Sequence, residues 1–370
     1  MAKAFGIITS SPDYKVEGMQ DHRPIGAFSF LGRYRVIDFP ISSLSNSGID
    51  RIQVYISSKP YSLVEHVGRG RHYNINSKRG RIQLFFPSDE TSAEIYNTNL
   101  NALRRNAEYI RRMSEEYVVI APSCMVFVED FGELLQKHVD SGADITLLYH
   151  TVENAKTGYA TCEVVNFDAD KKVTSIVQNL SDEDVANIFT GSYVMKKDLL
   201  LDLIEKASKI SSTYTLVQAV SHFCGDLDVR AVEHKGFFGP ITGLRAYFDC
   251  NMRLLDKDEA DSLFLPGWPI YTRTNDSCPS QYFSGASVKN SMVSNGCEIA
   301  GTVENCIVGR NVKIAPGAVL RDCVISAYSE IGEGVHLEKQ VVDKYAKVIR
   351  TKEIIGTEER PGYVRYNDVL

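Results

Sequence analysis

The chain has 370 residues, 44% hydrophobic and 24% charged, with a formal net charge of -6 and a pI near 5.8. That length allows two domains with separate cores in an ordinary globular protein. The negative balance disfavours a general nucleic-acid or anionic-membrane surface, and no apolar run approaches the roughly 18 residues of a membrane span. The eight cysteines, Cys124, Cys162, Cys224, Cys250, Cys278, Cys297, Cys306 and Cys323, stand singly with no CxxC pair. With no secretion signal before the first strand, they read as reduced thiols in a cytoplasm.

The first predicted strand is Ala4–Thr9, which runs into Ser10-Ser11-Pro12-Asp13-Tyr14-Lys15. A nucleotide-binding α/β enzyme needs a glycine-rich turn at this point, so that backbone N–H groups meet the phosphates. Pro12 has no N–H, and Asp13 would repel phosphate. Further strands are predicted over Arg51–Ser57, Tyr117–Ala121 and Asp144–His150, alternating with segments of helical period. Such alternation implies βαβ units and a largely parallel sheet. Between the second and third of these strands, Leu100, Leu103, Ala107 and Ile110 recur at helical spacing, while Arg104, Arg105, Arg111 and Arg112 fall mostly off that stripe. This predicts one surface helix with a solvated basic face. The basic run from Arg69 to Arg81 reads by default as a solvated loop, with anion or partner contact as the alternative.

From Asp256 to Ser284 the pattern turns irregular, with Pro266, Gly267, Trp268, Pro269 and Pro279. This span reads as a linker between a domain at 1–255 and a domain at 285–370. In the last stretch the period becomes six: Val308, Ile314 and Leu320 form one series, and Val319, Ile325, Ile331 and Leu337 another. Two apolar registers with recurrent Gly and Asn corners predict a hexapeptide-repeat β-helix.

The stretch Gly32–Ile49, which includes Arg33, Arg35, Asp38, Asn46 and Gly48, closely resembles the signature of glucose-1-phosphate adenylyltransferases. The resemblance continues through Glu116–Ile120, Gly191–Val194 and the terminal repeats, and is strongest to the GlgD-type subunit of bacterial glycogen biosynthesis. It implies an α/β fold: a Rossmann-like sugar-nucleotidyltransferase domain followed by a left-handed parallel β-helix. It also implies the family reaction, in which ATP and glucose 1-phosphate give ADP-glucose and pyrophosphate with Mg²⁺ bound by two aspartates.

Residue by residue, this chain departs from that pattern. The glycines of the family loop are missing, and Lys15 stands near the place of the catalytic arginine; lysine lacks the planar fork that grips phosphate oxygens in pairs. Cys124 and Pro240 fall where the resemblance implies the two metal-binding aspartates. A protonated thiol is a poor Mg²⁺ ligand, and proline is none. Asn179 falls where a lysine would hold the sugar phosphate. Losing one such electrostatic contact typically costs about 2.7–4 kcal/mol of barrier.

The resemblance therefore implies a chain with no catalytic residues and no metal of its own, Mg²⁺ being expected only in a catalytic ADP-glucose pyrophosphorylase partner within a cytoplasmic heterotetramer. Arg23, Arg33 and Arg35 are the candidates for binding phosphate from a nucleotide or a phosphorylated effector. The alternative for Arg33 and Arg35 is pairing with Asp38 or a neighbouring subunit. Two other readings stay open: a self-sufficient nucleotidyltransferase that recruits metal through Glu129 or Asp130, and a sugar-phosphate or nucleotide sensor. Neither nucleic acid nor membrane is expected as a partner.

Overall fold

The computed structural model describes residues 2–10, 14–76, 78, 80–87, 97–180 and 182–370. Ser11, Pro12 and Asp13 of the first loop, and Ser77 and Arg79 of the basic run, lie outside the described residues. The chain forms two compact units, neither continuous in sequence: one of 1–15, 37–242 and 266–271, the other of 16–36, 243–265 and 272–370.

In the first unit, nine strands form one sheet in which Ala4–Thr9 is an interior strand, paired in parallel with Arg51–Tyr55 on one side and Tyr117–Pro122 on the other. Both faces of this strand are covered, which is why it reads as a near-continuous apolar run rather than an alternating one. Gly6 permits close packing here: a Cβ would lie 2.8 Å from Leu44 of the Asp38–Asn46 helix. Phe5, Ile7, Val118, Ile120, Ile145 and Leu147 are fully buried in the resulting core. The strand Ala186–Lys196 joins the sheet antiparallel to Tyr117–Pro122 and Ile145–Val152, and its register slips between Phe189 and Ser192, at Gly191 (φ +77°). Such a bulge re-aims the side chains on either side of it.

The strands expected from Arg51, Tyr117 and Asp144 are present as Arg51–Tyr55, Tyr117–Pro122 and Ile145–Val152. The single surface helix expected through Leu100 and Ile110 is instead two, Asn99–Arg105 and Ala107–Arg111. Asn106 breaks it with non-helical angles while its amide donates to the Ala102 carbonyl at 2.9 Å. This is the local competition that makes asparagine a poor helix-interior residue.

The irregular span 256–284 is not uniformly a linker. Asp256 caps a helix at Lys257–Leu263, accepting from the Asp258 and Glu259 N–H groups at 2.9 and 3.2 Å. Residues 266–271 belong to the first unit: Asn46 donates to the Pro269 carbonyl at 2.9 Å, and the Tyr271 N–H donates to Ser42 Oγ at 2.9 Å.

The second unit contains the left-handed parallel β-helix. From Gln281 onward, three five-stranded parallel sheets form its faces. Residues in register are 17 apart in the middle turns, such as Val319 with His336 and Leu320 with Leu337, and 15 apart in earlier pairs such as Ser287 with Thr302. The inward side chains form one series, Val308, Ile314, Leu320, Ile325, Ile331, Leu337, Val342 and Val348, all buried. The two registers expected from sequence are this one series, which advances by six and then shortens to five at every third step. The short steps pass through Asp322 (φ +48°) and Lys339 (φ +50°), corners where the chain turns in the left-handed region. Val319, assigned to a separate register, is instead half-buried beside Leu320.

Candidate functional site

Open α/β sheets bind ligands outside the carboxyl ends of their strands. In the first unit the ends of Ala4–Thr9 and Tyr117–Pro122 lead to Ser10 and to Ser123-Cys124-Met125. Across from the latter, Gly239–Pro240 pairs antiparallel with Met125–Val126, Pro240 opposite Met125, and the Ile241 N–H donates to the Cys124 carbonyl at 2.8 Å. The fold thus brings Cys124 and Pro240 together, as a two-carboxylate metal site would need. Neither carries a carboxylate, and Cys124 is buried at 1% exposure. A hard Mg²⁺ ion takes oxygen ligands, so this pair of residues does not fit it.

The cleft beside them is lined by Thr9, Tyr14, Cys124, Glu163, Gly191 and Tyr193, among others, and has a volume of only about 40 Å³. Small-molecule sites are typically on the order of 300–1,000 Å³; this cleft holds little more than the ~30 Å³ share of one water. Tyr14 is one residue of its wall. Its ring is 3% exposed, and its hydroxyl donates to Glu163 Oε2 at 2.9 Å. Burial pushes the Tyr14 phenol well above the usual tyrosine range, reinforced by Cys162, Glu163 and Cys124. The Tyr193 phenol is raised by burial and by Glu163 as well. At ordinary pH both rings are therefore neutral and offer a phosphate no charge. Lys15, the next residue, is exposed and does not line the cleft.

Asn179 faces inward to its own unit. It is 3% exposed, and its amide donates to the Ala155 and Tyr159 carbonyls at 3.0 and 3.1 Å, while its N–H donates to the Cys162 carbonyl at 2.8 Å. The side chain closes a loop instead of presenting a cation. Glu129 accepts from His234 Nδ1 at 2.6 Å, and Asp130 caps the Phe131–Ser141 helix through the Gly132 and Glu133 N–H groups at 2.9 and 3.0 Å. Among the described residues, no group of three or more His, Cys, Asp or Glu side chains could hold a metal ion.

The three candidate arginines lie in the second unit and differ in setting. Arg23 is 5% exposed and forms an ion pair with Asp343, itself fully buried, which also accepts from the Tyr363 hydroxyl at 2.7 Å. The Arg23 guanidinium lies 5.7 Å from the Phe28 ring centre. Arg33 is exposed, with its guanidinium 5.6 Å from the ring centre of Tyr34. Arg35 is half-buried in the Tyr34–Arg35 strand, opposite Ser29. In the first unit, Asp38 of the signature is fully buried and accepts from His66 Nε2 and the Tyr73 hydroxyl, both at 2.6 Å. That carboxylate anchors the helix it begins.

The sequence reading missed Tyr14 as part of the cleft wall and Glu163 as its acceptor. The available signal was a bulky aromatic in a loop that ordinarily carries small residues.

Fold and cleft together define a nucleotidyltransferase-type domain joined to a hexapeptide β-helix. The family model for Nucleotidyl transferase matches residues 21–236, and that for the GlmU-like, C-terminal hexapeptide matches residues 280–367. The chain is 32% identical to the glycogen biosynthesis protein GlgD of Geobacillus stearothermophilus, over 86% of this chain and 83% of that one. It is 29% identical to GlgD of Bacillus subtilis (strain 168), over 95% and 92%. It is also 27% identical to the glucose-1-phosphate adenylyltransferase of Fervidobacterium nodosum, over 86% and 77%. The chain belongs to the glucose-1-phosphate adenylyltransferase family, in its GlgD-type branch.

Proposed function

We propose that this chain acts in glycogen biosynthesis as a non-catalytic or weakly catalytic regulatory subunit of a glucose-1-phosphate adenylyltransferase, modulating a catalytic partner in a cytoplasmic hetero-oligomer. The observation that supports the reading is the cleft: Cys124 and Pro240, where the resemblance implies the metal-binding aspartates, stand together, and Tyr14 lines the adjacent space. Phosphoryl transfer depends almost entirely on positioning and charge stabilisation. A site with no carboxylate at the Cys124 and Pro240 positions lacks the charge stabilisation that a bound metal would bring. Mg²⁺ then belongs to the partner, which performs the chemistry.

Regulation by such a subunit is a population shift. By packing better against the active conformation of its partner it favours that conformation, and a differential interface energy of about 1–3 kcal/mol suffices. Arg33, exposed on the second unit, is the candidate best presented for an anionic effector, since Arg23 is committed to Asp343.

The test is ADP-glucose formation from ATP, glucose 1-phosphate and Mg²⁺ by the purified chain alone, by a glycine-loop catalytic relative alone, and by the two mixed. Background turnover alone, with changed rate or effector response in the mixture, is the expected result. Robust turnover that titrates with this chain would overturn it. If Glu129→Gln or Asp130→Asn then abolished that turnover, the chain would be a self-sufficient enzyme. Nucleotide or sugar-phosphate binding with no effect on any catalytic relative would favour a sensor.

A further inference from the structure

The strand Arg81–Phe85 is the last of the nine-stranded sheet among the described residues, paired in parallel on one side with Arg51–Tyr55. We infer that its other side is a docking edge for an extended acidic segment of another protein, which joins the sheet as a further strand.

The backbone determines which groups that edge offers. The Arg81 N–H donates to the Asp50 carbonyl at 2.9 Å, and the Phe85 carbonyl accepts from the Ile56 N–H at 3.0 Å. Residues that bond one neighbour alternate along a strand. Arg81, Gln83 and Phe85 therefore bond inward, and the backbone groups of Ile82 and Leu84 point to the open side. Such a row of N–H and C=O groups is a template for pairing with another chain. Proteins blunt these edges with bulges or prolines; here the register runs unbroken from Arg81 to Phe85 and the strand has no proline.

The side chains near its two ends differ in character. Toward the start is a cavity of about 460 Å³ to which Arg51, Lys78, Arg81 and Arg112 contribute four cations, with no carboxylate in its lining. Arg51 pairs with Glu115 at 3.3 Å and Arg112 with Glu108 at 3.1 Å, while Lys78 and Arg81 are in no ion pair among the described residues. Toward the end is a cavity of about 140 Å³, lined in part by Phe85, Phe86, Pro87 and Ala102. Phe85 of this second cavity packs edge-on against Tyr109 of the first, ring centroids 5.1 Å apart, so the two recesses adjoin. Phe86 and Tyr109 are both nearly half exposed.

Length and charge select the occupant. From Arg81 to Phe86 an extended chain covers about 20 Å, a span that a peptide strand matches along its whole length. Main-chain pairing supplies affinity in this mode, and the flanking recesses supply specificity. Four cations at one end favour carboxylates there, and the aromatic recess favours an apolar side chain at the other. Charged residues alone can protect a sheet edge, which accounts for Arg81. It does not account for Arg51, one strand inward, for Arg112 at a helix end, or for the apolar recess.

The inference does not depend on the chain being regulatory, because binding is read on the full chain alone. Fluorescence anisotropy would use short labelled peptides of alternating glutamate and threonine, with a phenylalanine at one end or the other. Saturable binding by one of the two is expected, weaker at higher salt and lost when glutamine replaces glutamate. N-methylation of one alternate set of peptide amides should abolish binding and of the other set should spare it, because only one edge of an added strand pairs. Arg81→Gln, Lys78→Gln and Phe86→Ser should each weaken binding by about threefold or more, and the double variant Arg81→Gln/Lys78→Gln by about tenfold or more, with melting temperatures unchanged. Lys313→Gln, in the second unit, should leave binding intact. Absence of saturable binding, equal effects of the two N-methylation patterns, or binding that survives the double variant would overturn the docking edge. Concentration-dependent dimerisation abolished by the double variant would assign the edge to a second copy of this chain and overturn the acidic-segment assignment.

Discussion

The cleft beside Cys124 and the cavity beside Arg81 belong to the same sheet and have opposite fates. The first keeps the geometry of a catalytic site: strand ends, a bulge at Gly191, and two loops that meet through Pro240 and Met125. Tyr14, hydrogen-bonded to Glu163, is part of its wall, and the Cys124 and Pro240 positions carry no carboxylate. The second lies away from those strand ends and has open volume lined by four cations, of which Arg51 and Arg112 are ion-paired. Backbone geometry is fixed by core packing, whereas catalytic chemistry depends on a few side chains whose replacement leaves that packing intact.

The sharpest contrast is with a cation that is already paired. Arg23→Met would leave Asp343 buried and uncompensated and should destabilise the second unit by about 3–5 kcal/mol, seen as a lowered melting temperature. Unchanged melting would mean that this pair does not hold the unit. Tyr14→Ala should be nearly as costly, about 3–5 kcal/mol by analogy with large aromatic truncations, and should still give no turnover. Gained activity would show that the tyrosine, rather than the missing ligands, is what silences the cleft.

Asn179→Ala removes two side-chain hydrogen bonds to buried carbonyls and should cost about 1–3 kcal/mol, measurable by denaturant unfolding. A negligible cost would return Asn179 to the candidates for ligand contact. Arg81→Gln, by comparison, should change stability by no more than about 0.5 kcal/mol while weakening acidic-peptide binding. Equal losses in both would mean a structural cation.

The smallest effect concerns pH and lies in neither cavity. His138 is buried, its Nδ1 2.9 Å from Thr146 Oγ1, and burial together with Lys196 lowers its pKa below the usual histidine value. The unfolded chain therefore binds a proton first as pH falls through about 6.5. Its contribution to stability is present above that pH and is lost as pH falls toward the depressed folded value. Wild type should lose more melting temperature than His138→Gln between pH 7.5 and 5.5; an equal loss would assign the acid sensitivity elsewhere.

Local pattern determined much of this molecule. The apolar run Ala4–Thr9 specified a buried interior strand, the six-residue recurrence specified the β-helix, and Lys15, Cys124, Asn179 and Pro240 marked departures from the family pattern. These features were legible because strand burial and solenoid packing impose periods, and because a lost ligand is visible as a wrong residue type. Tertiary structure alone decided the rest. The six-residue series runs through five-residue corners at Asp322 and Lys339, because those residues adopt left-handed backbone angles. Tyr14 lines the cleft because Glu163, nearly 150 positions away, accepts its hydroxyl. Arg23 is withdrawn from solvent by Asp343, and Arg51, Lys78, Arg81 and Arg112 share one cavity through strand register and helix placement. Each of these outcomes depends on a partner distant in sequence, and no local spacing encodes which distant side chain will supply the opposite charge, the acceptor or the matching wall.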